Sequence, residues 1–367
     1  MKKSLVHGPS PTALFEMVTG FWMSKTLMCA VEFNVFTKLS GKSLTMRNIL
    51  NLLNLPHRHG ESFITALLSL GLLTFKNSRK EKSLTLMNSR LSDVYLVRGK
   101  STYIGDFITM YDKRLYRKWE GLASALKPQD SSAESLEKRT AGMPFSTLDD
   151  LYDQVLLKKE ETGVDGQADL DMFVRAMYGE KIWEAITLCK IYDFSRHKKI
   201  IDLGGGPAVF SIQIVTNFSS ISALVIDTVP VCEIANEYIK RFNVQDRVRT
   251  QTLDFVKESL PKGYDAIFMS HIIGGMSKKK NISILRKAYK SLPKTGTVII
   301  NEWLLNDDKG GPKLPALMGL NMVLETNEGK SYSFAEICEM LTEVGFVGIE
   351  KKSILNSPGN IIIGYKN

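Results

Sequence analysis

Three acidic residues in the second half of the chain stand at places where they could hold a ligand. In "IIDLGGGPAVFSIQIV", Asp202 ends an apolar run and Gly204 and Gly206 follow, giving the spacing D-x-G-x-G-x-A through Ala208. Glycines in such a turn let the backbone approach a ligand at the carboxyl edge of an α/β sheet. A dinucleotide site carries G-x-G-x-x-G/A instead. About 25 residues on, Asp227 ends the next apolar run, in "LVIDTVP", where ribose hydroxyls are usually read. "TLDF" then puts Asp254 and Phe255 where an adenine would be hydrogen-bonded and covered. An acid ahead of the glycines suits the charged amine of a methionine moiety better than a pyrophosphate. Together these residues point to S-adenosylmethionine, in preference to a nicotinamide cofactor or to glycines that merely turn the chain.

Those residues need a sheet to align them. "KKIIDLGGG", "SALVID", "VRTQTLDF", "YDAIFMSHII" and "TVIINEWLL" are apolar runs separated by helical segments such as "PVCEIANEYIKRF" and "KNISILRKAYKSL". Strands alternating with helices make a parallel sheet covered on both faces. The last two runs, "VGIEKKSIL" and "NIIIGYKN", are joined only by "NSPG", a link short enough for nothing but an antiparallel pair. The expectation is an α/β class I methyltransferase (Rossmann-like) fold: seven strands with an antiparallel C-terminal hairpin.

Ahead of it, Phe15, Val18, Trp22, Met23 and Leu27 recur at helical steps, and "TMRNILNLLNL" and "ESFITALLSLGLLTF" continue the pattern. "LLTF" and "LTLM", separated by the polar "KNSRKEKS", read as a short hairpin. Helix, helix and a two-stranded wing make a mainly helical winged-helix domain over 1–105. Residues 106–196 read as a helical connector that contributes to a substrate pocket. That region contains a polar, mobile stretch near "KPQDSSAESLEKRTAG", then the long helix "DMFVRAMYGEKIWEAITLCKIYDF". The α/β domain occupies 197–367.

Composition narrows the partners. Length of 367 residues favours two domains over one. The net charge of +9 is spread over short lysine groups, and "ESFITALLSLGLLTF" lacks the arginines and lysines of a DNA-reading helix, so nucleic acid is not expected. No run approaches the roughly 18 apolar residues of a membrane span. The opening "MKKSLVHGPSPT" has no apolar stretch behind its lysines, so no secretory signal is expected. Cys29, Cys189, Cys232 and Cys338 are widely spaced. That spacing argues against a metal site or a disulfide framework and for the cytoplasm.

"DLGGGPAVFS", "IDTVPV", "LDF", "INEWLLNDDKGGP", "GLNMVLETNEGK" and "LTEVGF" resemble, in order, the caffeate and hydroxyindole O-methyltransferase family. The likeness extends to "FWMSKTLMCAVEFNVFTKL" and "LLSLGLL" near the start. The resemblance implies S-adenosylmethionine-dependent methylation of a small molecule, of the kind met in secondary metabolism, by a homodimer joined through its N-terminal domain. It implies that Gly204, Asp227, Asp254 and Phe255 hold the cofactor; Asp202 and Gly206 of the glycine loop, and Ser270, are further cofactor-binding candidates. Met177 would lie near the pocket with Phe173, and Asn321 and Met322 would line it.

The same resemblance exposes a departure. The family's base opens an "HDW"-like motif beyond the fourth strand, and here "IIGGMS" puts Gly274 at that position. One orienting glutamate falls at Ser331, whereas the other persists as Glu302. His271, three residues earlier, admits three readings: a displaced base, a cofactor or pocket contact, or a strand histidine bonded within the domain. Glu302 would pair with a substrate amine or hydroxyl, or else be a solvated acid. Trp22, Tyr103, Phe107, Tyr111, Phe173 and Trp183 are aromatics able to cover a flat substrate or to fill the core. His7, His57, His59 and His197 read as surface residues. The expected reaction is in-line methyl transfer to an acceptor that needs little or no base. The alternative is a relative diverged to a non-methylating reaction or to an inactive partner subunit.

Overall fold

The computed structural model describes residues 9–76, 84–127 and 166–367. The polar residues 128–142, residues 77–83 between the two wing strands, and His7 lie outside them. The chain divides into two units, Met1–Asp112 and Lys113–Asn367. Among the described residues, no helix is long and apolar enough to cross a membrane.

The first unit contains α1 (Thr12–Glu32), α2 (Val35–Leu39), α3 (Met46–Leu53), α4 (His57–Ser69), β1 (Leu73–Phe75), β2 (Leu86–Asn88), α5 (Arg90–Tyr95) and α6 (Gly105–Met110). Helix α3 starts where the Thr45 hydroxyl accepts the Asn48 N–H at 3.3 Å. It buries Ile49, Leu50 and Leu53, and α4 buries Ile64 and Leu67. β1 and β2 pair antiparallel, Leu73 opposite Asn88, which completes the helix–helix–wing layout. The apolar residues that recur along α1 are largely in the open: Phe15, Val18, Trp22 and Met23 are all more than half exposed. Burial begins only near its end, at Met28, Ala30 and Val31.

The second unit opens, after short helical turns, with the long helix α7 (Gly166–Ile191). Then come β3 (Lys199–Leu203), α8 (Val209–Asn217), β4 (Ser222–Asp227), α9 (Val229–Arg241), β5 (Val248–Thr252) and β6 (Ala266–Ser270). They are followed by α10 (Lys278–Ser291), β7 (Thr297–Trp303), α11 (Lys313–Glu325), α12 (Phe334–Val344), β8 (Val347–Ser353) and β9 (Gly359–Tyr365). The strands form one sheet in the order β5-β4-β3-β6-β7-β9-β8. β3 to β7 are parallel, and β9 runs antiparallel between β7 and β8. The seven strands and their terminal hairpin are those the sequence implied. Helices on both faces explain why the central strands read as unbroken apolar runs rather than alternating ones. Ile200, Ile201, Val225, Ile226, Ile267, Phe268, Ile299 and Ile300 are all fully buried.

His197 corrects its surface reading, because it is buried. Its Nε2 lies 2.8 Å from the Tyr192 hydroxyl, and Nδ1 is 3.7 Å from Asp265. Burial lowers its pKa. Exposed Arg196 and Lys198 on either side give the segment a polar look that conceals one inward side chain.

Candidate active site

Registration places the acids. Asp202 in β3 pairs with Val225 of β4 and Phe268 of β6, and Asp227 at the end of β4 pairs with Thr252 of β5. Their carboxyl ends open on one cavity of about 650 Å³. Asp202, Gly204, Gly206 and Asp227 line it on one side, and Asp254 and Phe255 beyond β5 line it on another. Ser270 and His271 close it beyond β6, and Phe173, Met177 and Lys181 of α7 cover it.

The loop after β3 is shaped by glycine. Gly204 has φ +65°, and a Cβ there would fall 2.3 Å from Ile272 Cδ1, so a side chain at this position would strain the backbone and displace Ile272. Asp202 is buried; its Oδ2 accepts the Ser211 hydroxyl at 2.7 Å. Its Oδ1 has no protein partner, and neither has the buried Thr228 hydroxyl on the same wall. Two orphaned polar atoms beside one cavity suit a ligand with polar groups of its own. Asp227 Oδ2 accepts the Gly206 N–H at 3.0 Å, and Oδ1 accepts the Thr228 N–H at 2.8 Å. Burial raises both carboxyls, each to about 6. Asp254 is more open: Lys257 pairs with it at 3.0 Å, and its pKa falls because that pairing outweighs a raising effect of burial.

Beyond β6, Gly274 and Gly275 form a single 3-10 turn with Ile273. The Gly274 N–H donates to Glu302 Oε1 at 3.1 Å, and its carbonyl accepts the Lys330 N–H at 2.9 Å. A Cβ on Gly274 would stand 3.4 Å from Glu302 Oε2, ordinary contact rather than collision. The turn has room for a Cβ.

His271 adopts φ +56°, a left-handed conformation that a non-glycine residue holds at some cost. Its N–H donates to the Asn301 carbonyl at 2.9 Å. The ring stands edge-on to Trp303, with Nδ1 3.6 Å from Glu302 and Nε2 3.4 Å from Glu184. Glu302 is therefore buried behind the wall, not a solvated acid, and burial raises its pKa. Glu184 also accepts from Trp303 Nε1 at 2.7 Å, the Ser357 hydroxyl at 2.7 Å and Asn301 Nδ2 at 3.1 Å. Burial by itself would raise this carboxyl, but Lys181 and His271 outweigh it and hold the pKa low.

Lys181 lies one turn before Glu184 on α7. Its Nζ donates to Glu180 at 2.8 Å and sits 4.6 Å from the Trp303 ring centroid. Burial would lower its pKa, but Glu180 and Glu184 raise it, so the ammonium stays charged. Sequence reasoning passed over both residues. A signal was available: Val174, Tyr178, Ala185 and Leu188 mark a buried stripe on α7, and Lys181 and Glu184 interrupt it with charge.

Sequence models of an O-methyltransferase domain and of an O-methyltransferase dimerisation domain match residues 159–347 and 15–98, respectively. The chain belongs to the O-methyltransferase family. It is 28% identical over 344 residues to 3-hydroxy-5-methyl-1-naphthoate 3-O-methyltransferase of Streptomyces sahachiroi, covering 91% of this chain and 89% of the relative. To the tetracenomycin polyketide synthesis 8-O-methyl transferase TcmO of Streptomyces glaucescens it is 25% identical over 363 residues, 98% of each chain. The fold matches human N-acetylserotonin methyltransferase, solved in complex with SAM, with a TM-score of 0.82 over 100% of both chains at 20% identity.

Within this O-methyltransferase, not every candidate reaches the cavity. Asn321 and Met322 of α11 are not among its described lining residues. Asn321 is buried and accepts the Trp119 indole N–H at 3.1 Å. One turn on, Glu325 is buried in pairs with Arg114 and Lys118, both at 2.8 Å. Polar side chains of α11 thus anchor the helix to the turns that precede α7. Of the six candidate aromatics only Phe173 lines the cavity; Trp22 and Trp183 are exposed.

Proposed function

We propose that this chain binds S-adenosylmethionine in the cavity at the carboxyl edge and transfers its methyl group to a small molecule without a histidine at the family's base position. The observation that carries the reading is the alignment of Asp202, Asp227 and Asp254 beyond three neighbouring strands, on one cavity with the Gly204–Gly206 loop. Asp254 and Phe255 hold the adenine, Asp227 accepts the ribose hydroxyls, and Asp202 with the loop receives the methionine end. The cofactor supplies a methyl activated on a sulfonium.

The protein supplies position and exclusion of water. Gly274 and Gly275 carry no side chain able to take a proton, and Glu302 is occupied with the Gly274 N–H. A phenol of pKa ~10 is mostly protonated at neutral pH and depends on a base; an acidic hydroxyl or a thiol of pKa ~8.5 depends on one far less. The acceptor is therefore one that ionises readily, within the small aromatic and polyketide chemistry that the relatives' names describe. The alternative, loss of methyl transfer, is not favoured by relatives that are named for it.

The partner is a second copy of the chain, not nucleic acid. The exposed apolar face of α1, including Phe15, Val18 and Trp22, lies within the matched dimerisation segment and exceeds what a lone surface helix usually shows water. The four cysteines are free thiols, which suits a reducing cytoplasm.

Purified protein with labelled S-adenosylmethionine and a panel of acidic phenols, thiols, amines and β-dicarbonyl compounds tests the reading. We expect label in acidic acceptors and accumulation of S-adenosylhomocysteine. Tight cofactor binding with no transfer to any class would count decisively against it.

A further inference from the structure

The cavity has a polarity that runs with the strand order. Asp254 and Glu258 lie beyond β5, Asp227 beyond β4, and Asp202 at the end of β3. All four are carboxylates, and they repel an anion. Beyond β6 the lining offers nitrogen donors instead: His271 forms that wall and Lys181 reaches it from α7, both paired with glutamates. Among the described lining residues Lys181 is the one lysine or arginine.

Lys181 lines the cavity with Glu180, Glu184 and Glu302 already near its ammonium. The Lys181 side chain is 9% exposed, so its charge acts in a low-dielectric space where a partner counts for more than in water. An ammonium has three donors, and here one is bonded, to Glu180. Glu184, one turn along, fixes the wall from behind by holding His271 and Trp303. Trp303 in turn lies under the ammonium.

From these relations we infer that Lys181, beside His271, is the carboxylate seat of the cavity and takes the α-carboxylate of the cofactor's methionine moiety. The inference rests on the cofactor reading above. Adenine beyond β5 and ribose beyond β4 leave the amino-acid end to arrive between β3 and β6. There its ammonium meets Asp202 and its carboxylate meets Lys181. His271 then serves as a cofactor contact rather than as a displaced base.

Calorimetry on the full chain tests this with two ligands: S-adenosylhomocysteine, and its decarboxylated aminopropyl thioether, which keeps the amine and lacks the carboxylate. A charge-assisted pair is expected to make the first bind roughly 10- to 100-fold tighter to the unaltered protein. In Lys181→Gln the two ligands should bind alike, and Lys181→Arg should restore most of the difference. Two results would overturn the proposal: no preference in the unaltered protein, or a preference that survives in Lys181→Gln. If Lys181→Gln fails to fold, the unaltered protein and Lys181→Arg still decide, since loss of preference in the charge-retaining variant would refute a charge-based seat. Failure of the unaltered protein to bind either ligand would instead remove the cofactor reading beneath it.

Discussion

His271 Nε2 lies 3.4 Å from Glu184 Oε2 although 87 residues separate them. Through that pair, the wall where methyl transfer would occur is tied to the interior of α7 and, through Ser357, to the hairpin of β8 and β9. Replacing Glu184 by Ala should remove four acceptor contacts and take one counter-charge from Lys181 and His271, with Glu180 and Glu302 remaining. Truncating one partner of a buried charged network costs about 3–5 kcal/mol, and urea denaturation should show a loss of that order. A loss within about 0.5 kcal/mol, as for an ordinary surface change, would refute the role given to this carboxylate.

Cofactor affinity should weaken in acid. Asp227 must be ionised to accept two ribose hydroxyls, and burial has raised its pKa from 3.8 to about 6 in the free protein. Below that value a proton competes with the ligand. Affinity for S-adenosylhomocysteine should then fall about tenfold for each pH unit below 6 and level off above it. Asp227→Asn should bind weakly throughout and shed the part of the pH dependence that Asp227 contributes, which calorimetry between pH 5 and 8 would read directly.

Gly274→His should fold, because a Cβ there meets Glu302 at ordinary contact distance and the position does not require positive φ. An imidazole beside Glu302 restores a general base, an effect typically on the order of 10²-fold or more. Turnover of weakly acidic phenols should rise, with a new pH step near ~6.5. Acceptors already ionised at pH 7 should gain nothing. Equal gains for both classes would show that the glycine matters through shape and not through the missing base.

At Gly204, alanine should abolish cofactor binding. The new methyl falls 2.3 Å from Ile272 Cδ1 at φ +65°, and left-handed backbone adds about 1–2 kcal/mol for a residue with a Cβ. Thermal melts with and without S-adenosylhomocysteine should show lower stability and no ligand-induced shift.

Charge on α1 should separate the copies. Phe15→Glu together with Trp22→Glu places two carboxylates on the exposed apolar face. Sedimentation should show a monomer where the unaltered chain forms a dimer. The isolated fold should be little affected, since neither side chain is buried within it.

Much of the candidate site was legible because each acid stands at or just beyond a strand end. Strand periodicity and glycine chemistry are local properties, so Asp202, Asp227 and Asp254 could be placed at strand ends without coordinates. The hairpin of β8 and β9 followed from a link too short for a crossover. The resemblance to the family, not spacing alone, marks Gly274 as the place where the base is expected.

The remainder depended on contacts between distant segments. Nothing local shows that α7 brings Lys181 and Glu184 beneath Trp303, or that Glu302 turns inward to the Gly274 N–H while Asn321 turns to Trp119. A side chain's charge is written in the sequence, but its desolvation is not. Whether an acid is solvated or buried depends on which helix covers it; that covering raises Glu302, whereas Lys181 and His271 hold Glu184 low against it. The sequence by itself determined that the acids stand at successive strand ends and, through the resemblance, that a glycine stands where the family's base is expected. Only the tertiary structure decided which charges face one another in a space that excludes water.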